Sequence, residues 1–200
     1  MLVVEGLRTK AGGPVGFSLR GGEIIAVRGP SGSGKSLMLR AIADLDPAEG
    51  EVTLGGIARA SIPAPEWRRR VGFVPAESGW WADRVGEHFA DGAASRALIE
   101  ALGIDPAALD WEVRRLSTGE RQRLAIARAL ALEPTVWLFD EPTAALDAEA
   151  ARLVERVIVD GRDRGAAILL VTHDATQAER LADRSLFMAG GRLSETEPVI

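Results

Sequence analysis

The sequence predicts an α/β fold in which helices cover both faces of a mostly parallel sheet. Through the second half of the chain, strand-like apolar segments alternate with helix-like segments. Nearer the start, a glycine-rich loop joins one strand-like segment directly to a helix-like one. Alternation of this kind predicts parallel strands, because each connecting helix returns the chain to the same end of the sheet.

The N-terminal quarter is predicted to contain short strands separated by turns. Strands are predicted at residues 2–7, 15–19 and 23–28, with glycine-rich turn signals at 12–14 and 20–22 between them. A loop then leads to a helix predicted at 35–44, a break at 47–50 and a strand at 51–54. This order indicates a strand-loop-helix unit.

The remaining segments complete the alternation. Residues 82–115 lack β-branched runs and predict a short helical subdomain broken at Gly92, Gly103 and Pro106. Then follow a helix at 118–132, a strand at 135–139, a helix at 148–160, a strand at 166–172, a helix at 174–181 and a strand at 185–188. Since 200 residues with 46% hydrophobic content can bury a full core, we expect one domain over 1–200, with the helical subdomain at about 78–117.

The composition excludes several function classes. The absence of cysteine excludes disulfides and thiolate chemistry, and two histidines cannot build a metal cage, so any metal is an oxygen-bound ion such as Mg²⁺. A net charge of −5 argues against a dedicated nucleic-acid binder, and Arg68-Arg69-Arg70 is interpreted as a solvated helix face. The longest apolar run, 166–171, is too short to cross a bilayer, and the N-terminus does not resemble a secretory signal, so we expect a cytoplasmic location.

A phosphate-binding motif lies between the predicted strand at 23–28 and the following helix. It fits G-x-x-x-x-G-K-[ST] with Gly29, Pro30, Ser31, Gly32, Ser33, Gly34, Lys35 and Ser36. The glycines allow backbone N–H groups to point inward, and the new helix adds its positive N-terminal end. Lys35 would reach the β- and γ-phosphates, and the Ser36 hydroxyl would bind Mg²⁺.

A second motif is an apolar strand that ends in two acids, Asp140 and Glu141. A buried parallel strand delivers such carboxylates to the sheet edge where ligands bind. Asp140 would hold Mg²⁺, and Glu141 would orient or deprotonate an attacking water. Solvated acids at a strand end are the alternative, which the nearby phosphate motif disfavours.

The pentapeptide Leu116-Ser117-Thr118-Gly119-Glu120 predicts a capped helix start. Ser117 and Glu120 have the S-x-x-E spacing of a capping box. Gly119 in the first turn weakens the helix by about 1 kcal/mol relative to alanine, which suggests that something approaches the backbone closely there. The helix start is therefore a candidate second phosphate site, serving the nucleotide of another subunit.

These motifs resemble those of ATP-binding-cassette (ABC) ATPases, the nucleotide-binding subunits of ABC transporters, over essentially the whole chain. Residues 29–36 resemble the Walker A motif, 116–120 the signature motif and 136–141 the Walker B motif with its catalytic glutamate. Residues 144–147, ending in Asp147, resemble the D-loop, and His173 resembles the switch histidine that contacts the γ-phosphate. Asp147 and Asp174 are also plausible helix N-caps.

The resemblance implies a P-loop NTPase core with a mostly parallel sheet, an antiparallel N-terminal β subdomain and a shortened helical subdomain. It also implies that Lys35, Glu141 and His173 are catalytic, and that two copies close around two ATP molecules. Hydrolysis then drives an integral-membrane permease, which places the chain peripherally on the inner face of the cell membrane. A soluble ABC ATPase acting on DNA or ribosomes, and an unrelated P-loop kinase, are the alternatives.

Three departures from the family pattern raise further expectations. Ala76 stands where the family has a glutamine, and Glu77 is a candidate replacement. No aromatic residue precedes Val15 to stack on adenine, so only Arg8 or Lys10 remains to cover the base and weak ATP/GTP discrimination is expected.

The third departure is the short span of about 40 residues between Ala76 and Ser117. Trp80 and Trp81 lie just after Ala76, where the membrane subunit docks in relatives. Either they are exposed and mark that interface, or they pack against the short subdomain.

Overall fold

The computed structural model describes residues 1–90 and 92–195, which form two sheets with helices around the larger one. The strands are β1 (Leu2–Thr9), β2 (Gly12–Leu19), β3 (Ile24–Arg28), β4 (Glu49–Leu54), β5 (Ile57–Ala58), β6 (Val71–Val74), β7 (Val136–Asp140), β8 (Ala167–Val171), β9 (Arg184–Ala189) and β10 (Arg192–Ser194). The helices are α1 (Lys35–Ile42), α2 (Ala64–Arg70), α3 (Ala93–Ala101), α4 (Thr118–Leu130), α5 (Ala148–Asp163) and α6 (Ala175–Leu181).

The larger sheet has the strand order β10-β9-β3-β8-β7-β6. Strands β9, β3, β8, β7 and β6 are parallel, and β10 pairs antiparallel with β9 at one edge. The smaller sheet, β2-β1-β4-β5, is antiparallel throughout. Both arrangements confirm the predicted fold class, a mostly parallel core with an antiparallel N-terminal sheet.

The central strands alternate their side chains between two hydrophobic cores, because successive residues of a strand point to opposite faces. On β7, Leu138 packs with α1 and the N-terminal sheet, whereas Phe139 packs with α4 and α5 on the opposite face. On β8, Leu169 and Leu170 divide in the same way. The helices therefore cover both faces, as the alternation predicts.

Some elements differ from the sequence-based expectation. Helix α5 continues three residues beyond the predicted end, to Asp163. Strand β6 was not predicted, because Val71–Val74 is short and contains a glycine, and it acquires its strand partner only from β7. The arginine triplet lies at the end of α2 with Arg68 and Arg69 exposed, which agrees with a solvated helix face.

Between β6 and α4 the described residues hold the single α-helix α3 and three short 3-10 turns, at 85–88, 106–110 and 113–115. An isolated bridge between Arg84 and Glu112 closes this segment on itself. Across the described part of the chain, no helix is both long enough and apolar enough to cross a membrane.

Candidate functional site

The loop at 29–36 is shaped by glycines at positions that other residues could not occupy. Gly29 has φ 142° and Gly34 has φ 106°, both in the region that favours glycine. A Cβ at Gly29 would lie 2.1 Å from the Met188 carbonyl oxygen, and one at Gly34 would lie 2.6 Å from the Ala11 Cβ. The loop is thus packed between β9 and the β1-β2 turn, and α1 begins directly after Gly34.

Lys35 folds over this loop. Its Nζ donates hydrogen bonds to the carbonyl oxygens of Gly29 (2.8 Å) and Pro30 (2.9 Å), and the residue is only 5% exposed. Burial lowers the pKa of Lys35, while the charges of Glu141 and Asp140 oppose that shift. Ser33 adds a buried hydroxyl that has no hydrogen-bond partner within the described residues. The loop thus concentrates buried donors, as an anionic ligand requires.

Asp140 ends β7 beside Ser36. Burial raises the pKa of Asp140, an effect that the hydrogen bond from Ser36 partly offsets. The hydroxyl and carboxylate are oxygen donors of the kind that Mg²⁺ takes, usually together with substrate phosphates and water. No group of three or more His, Asp or Glu side chains is arranged for metal binding in residues 1–90 and 92–195, so an ion here would need such additional ligands.

Glu141 and His173 form a close pair at the same edge. The His173 Nε2 lies 2.7 Å from the Glu141 Oε1. Glu141 has φ 50°, and its N–H donates to the Val171 carbonyl at 3.0 Å. A non-glycine residue in this conformation costs about 1–3 kcal/mol, so the surrounding structure must hold Glu141 in place.

The strand order explains why these side chains meet. Strands β3, β8 and β7 are parallel neighbours, so their carboxyl ends share one edge of the sheet. The loop at 29–36 follows β3, Asp140 and Glu141 end β7, and His173 follows β8. The structure therefore brings the predicted Walker residues and the predicted switch histidine together.

The predicted capping box at the start of α4 is present. The Ser117 Oγ accepts from the Glu120 N–H at 3.2 Å, and the Ser117 N–H donates to the Glu120 carboxylate at 2.8 Å. The Ser117 hydroxyl also donates to that carboxylate at 2.9 Å. Thr118 is exposed next to them. The Glu120 side chain thus already places a negative charge at this helix start.

The close approach expected at Gly119 comes from Leu146 of the same chain. A Cβ at Gly119 would lie 3.3 Å from the Leu146 Cδ2. One residue further on, Asp147 caps α5 by accepting from the Glu149 and Ala150 N–H groups at 3.0 and 2.8 Å. The signature-like and D-loop-like segments are therefore neighbours, with Leu146 in the space that a side chain at position 119 would enter. Asp174 likewise caps α6, as predicted.

Sequence reasoning missed two residues of α4 that hold the loop at 75–81. The Gln122 Nε2 donates to the Pro75 carbonyl at 3.2 Å, and its Oε1 accepts from Ser78 at 3.2 Å. Arg128 donates to the Gly79 carbonyl at 3.1 Å and lies over the rings of both adjacent tryptophans. The sequence gives only a weak signal for these two contacts. Gln122 and Arg128 are six residues apart on a mostly buried helix, and their partners at 75–81 are distant in sequence.

Of the two expectations for Trp80 and Trp81, exposure at an interface or packing against the subdomain, each tryptophan follows a different one. Trp80 is partly buried and packs against the core around α4, whereas Trp81 is 72% exposed. The His88 ring lies edge-on to both, with centroids 4.7 and 4.4 Å away. Trp81 borders a groove of 420 Å³ between α1, β6 and α4, whose rim includes exposed Leu45 and Leu132. We call this the Trp81 groove.

The remaining expectations stay predictions. Ala76 and Glu77 are both exposed in the loop after β6. Arg8 and Lys10 are exposed near the β1-β2 turn, and Lys10, after Arg40, contributes to lowering the pKa of Asp46.

Comparison with known proteins identifies relatives over most of the chain. Residues 13–144 match the family model for ABC transporters. The Fe(3+) ions import ATP-binding protein FbpC of Streptomyces coelicolor is 38% identical over 98% of this chain and 61% of its own length. The aliphatic sulfonates import ATP-binding protein SsuB 2 of Paracoccus denitrificans is 42% identical over 92% of this chain and 73% of its own length.

A solved structure extends the similarity to the whole fold. The dimeric, post-hydrolysis state of an ATP-binding cassette bound to ADP and Pi superimposes with a TM-score of 0.84 at 26% identity, covering 100% of both chains. The present chain spans about three fifths of the length of the FbpC relative. Because family model, curated relatives and structural neighbour agree, the chain belongs to the ABC transporter family and has the fold of its ATP-binding cassettes.

Proposed function

We propose that this chain is the subunit that binds and hydrolyses ATP for an ABC transporter, working as a dimer around two ATP molecules. We further propose that all of 1–200 acts as one ATPase domain, with a helical subdomain at about 78–117. The relatives named above are import ATP-binding proteins, and the superimposed cassette is a nucleotide-bound dimer. These similarities support transport over a soluble role on DNA or ribosomes.

One observation carries the proposal: a phosphate-loop lysine, a buried aspartate and a glutamate–histidine pair share one sheet edge. The Lys35 Nζ donates to the loop carbonyls, Asp140 lies beside Ser36, and the Glu141 carboxylate is 2.7 Å from the His173 Nε2. These groups supply charge compensation, a hard oxygen ligand set and a candidate base within one site. Phosphoryl transfer to water needs that combination.

The phosphate loop would position the nucleotide. Backbone N–H groups of 31–36 and the N-terminal end of α1 would hold the β- and γ-phosphates. Lys35 would leave the Gly29 and Pro30 carbonyls and pair with those phosphates, compensating their charge. Ser36 and Asp140 would hold Mg²⁺, which supplies further charge neutralisation when bound.

Glu141 would accept the proton of the attacking water or orient that water. The positive φ of Glu141 and the hydrogen bond from its N–H to the Val171 carbonyl fix the backbone from which the carboxylate extends. His173 contacts this carboxylate from the neighbouring strand and would contact the γ-phosphate. A positioned base of this kind contributes about 10²- to 10⁴-fold in rate.

The second half of each site would come from the partner copy. Ser117, Thr118, Gly119 and Glu120 start a capped helix whose positive end favours phosphate, and Asp147 lies beside them at the start of α5. ATP would thereby join one copy's phosphate loop to the other copy's α4.

The Trp81 groove is the proposed docking surface for an integral-membrane permease. An exposed tryptophan beside an apolar groove, with Arg128 over its ring, has the composition of an interface anchor. Binding there would hold the chain at the inner face of the cell membrane from the cytoplasmic side.

Two measurements test the proposal. The purified chain is expected to hydrolyse ATP in a Mg²⁺-dependent reaction, and a chain that neither binds nor hydrolyses ATP would contradict it. Purification from native cells is expected to recover a multi-span membrane protein. Repeated recovery of ribosomes or DNA instead would favour the soluble alternative.

A further inference from the structure

A buried polar network lies directly behind the catalytic edge. The Gln177 Nε2 donates to the Thr143 Oγ1 at 2.9 Å and to the Glu155 Oε1 at 3.0 Å. Arg180 donates twice to the same Glu155 carboxylate, at 2.6 and 3.2 Å. Gln177 is 2% exposed and Glu155 is 9% exposed. Four side chains thus join the turn after β7 to helices α5 and α6.

Packing stability alone does not explain this network. The Gln177 Oε1 is buried without a hydrogen-bond partner within the described residues, and such a group costs about 1–3 kcal/mol. Apolar side chains of similar volume usually hold two helices together as well as a buried charged group does. The network specifies geometry at some cost in stability.

The geometry that it specifies belongs to the turn at 141–147. Thr143, the network's contact in that turn, lies two residues after Glu141. Backbone bonds from the Ala144 N–H to the Glu141 carbonyl and from the Leu146 N–H to the Thr143 carbonyl make the turn one unit. Leu146 in turn lies next to Gly119, close enough that a Cβ at Gly119 would be 3.3 Å from the Leu146 Cδ2.

The other end of the network follows the switch histidine. Gln177 and Arg180 are on α6, which begins two residues after His173. The bond between Gln177 and Thr143 therefore ties the turn that carries Glu141 to the helix that follows His173. These are the two segments that carry Glu141 and His173, whose side chains lie 2.7 Å apart at the sheet edge. The network therefore holds both segments on the side away from that pair.

We propose that Gln177 is a positioning residue for hydrolysis, acting through Thr143 and Glu155. It holds the 141–147 turn so that Glu141 faces the attacking water and Leu146 supports the backbone at Gly119. This inference rests on the proposed ATPase function. Among the described residues, the Gln177 side chain has its hydrogen-bond partners in Thr143 and Glu155, which lie outside the phosphate loop.

The first test separates positioning from nucleotide binding. Gln177→Met removes both bonds at similar volume, and Thr143→Val removes only the hydroxyl. Both are expected to lower kcat about 10- to 100-fold, as small misplacements of catalytic groups do. The KM for ATP should change by less than about twofold, because the phosphate loop is untouched. Thr143→Ser keeps the hydroxyl and should retain kcat near that of the wild type.

Glu23→Gln is the matched control. It breaks the half-buried ion pair with Arg184 (2.7 Å) at the opposite end of β3, away from the nucleotide edge. This variant should lose stability without losing kcat. Unchanged kcat in both Gln177→Met and Thr143→Val, or a loss confined to KM, would overturn the inference.

A second measurement does not depend on hydrolysis. Amide hydrogen exchange over 141–147 in the nucleotide-free protein should become at least about tenfold faster in Gln177→Met. Unchanged exchange overturns the positioning role whether or not the chain hydrolyses ATP. A wild-type chain without ATPase activity, but with faster exchange in Gln177→Met, would contradict only the proposed function and leave the positioning of the turn supported.

Discussion

The nucleotide edge of the sheet and the loop at 75–81 are built in contrasting ways. At the edge, the motif residues extend directly from the ends of β3, β7 and β8, so parallel strand order alone brings them together. The loop at 75–81 is held by long-range side chains, Gln122 and Arg128, and its Ala76 departs from the family pattern. The first region is therefore positioned by local motifs and strand order, whereas the second is positioned by side-chain contacts between segments that are distant in sequence.

The largest expected effect is at the nucleotide edge. Glu141→Gln removes the candidate base but keeps the shape of the side chain. ATP hydrolysis should fall about 10²- to 10⁴-fold while ATP binding persists, so that the ATP-bound dimer accumulates. Steady-state turnover and size-exclusion chromatography with ATP measure both effects.

Glu133→Gln is the control for that variant. Glu133 also has a positive φ, 51°, and is exposed, but it lies before β7 at the other end of the strand. Its turnover should match that of the wild type. Retained turnover in Glu141→Gln would show that the edge uses another base.

At the loop, Trp81→Ala should weaken association with the membrane partner. Truncating a buried interface tryptophan typically costs 2 kcal/mol or more, about 30-fold in affinity. The yield of co-purified membrane protein measures this, with basal ATP hydrolysis as the internal reference. Ile57→Ala, an exposed apolar residue on the N-terminal sheet, is the matched control. An equal loss of co-purified membrane protein in Trp81→Ala and Ile57→Ala would show that the Trp81 groove is not the docking surface.

A smaller effect is expected at the start of α4, where the Glu120 carboxylate covers Ser117. Glu120→Gln removes a negative charge where the partner's ATP phosphate would bind. ATP-driven dimerisation of the hydrolysis-deficient protein should tighten up to about fivefold, since charges at helix ends contribute about 0.3–1 kcal/mol. Glu149→Gln, in the first turn of α5, is the control. Weaker dimerisation in Glu120→Gln would mean that the carboxylate contributes to the interface.

The smallest effect is on stability far from either region. Burial raises the pKa of Glu23, but hydrogen bonds from Arg184 and the Arg20 N–H outweigh it and leave the pKa below its ordinary value. A lowered folded-state pKa stabilises the protein above the unfolded-state pKa and ceases to do so as the pH falls through the folded-state value.

Glu23→Gln should therefore cost about 0.5 kcal/mol of unfolding free energy at pH 7. The difference from the wild type should close below about pH 4.3. Urea unfolding at several pH values measures this. A difference in unfolding free energy that persists below that pH would show that Glu23→Gln acts through packing and not through the charge of Glu23.

Sequence patterns predicted the parts of the molecule that depend on local chemistry. Glycines at 29 and 34, the S-x-x-E spacing at 117–120 and the acids at 140–141 each specify a backbone or charge requirement within a few residues. The capping box and the N-caps Asp147 and Asp174 are present as predicted.

Long-range contacts could not be predicted in this way. Nothing near Gln177 in sequence indicates Thr143 or Glu155 as its partners, and nothing near Arg128 indicates the tryptophans. Strand β6 depends on β7 for its hydrogen bonds. These contacts and this strand pairing form only when segments distant in sequence come together in the folded chain.

The most direct test of the account is an ATP-dependent cross-link between two copies. The chain contains no cysteine, so Ser31→Cys in one copy and Thr118→Cys in another can be combined in a Glu141→Gln background. With a short bismaleimide, the mixture should form a heterodimer when ATP and Mg²⁺ are present and not without them. A cross-link that forms equally well without ATP, or never forms while ATP remains bound, would contradict a nucleotide held between Gly29–Ser36 of one copy and the α4 start of the other.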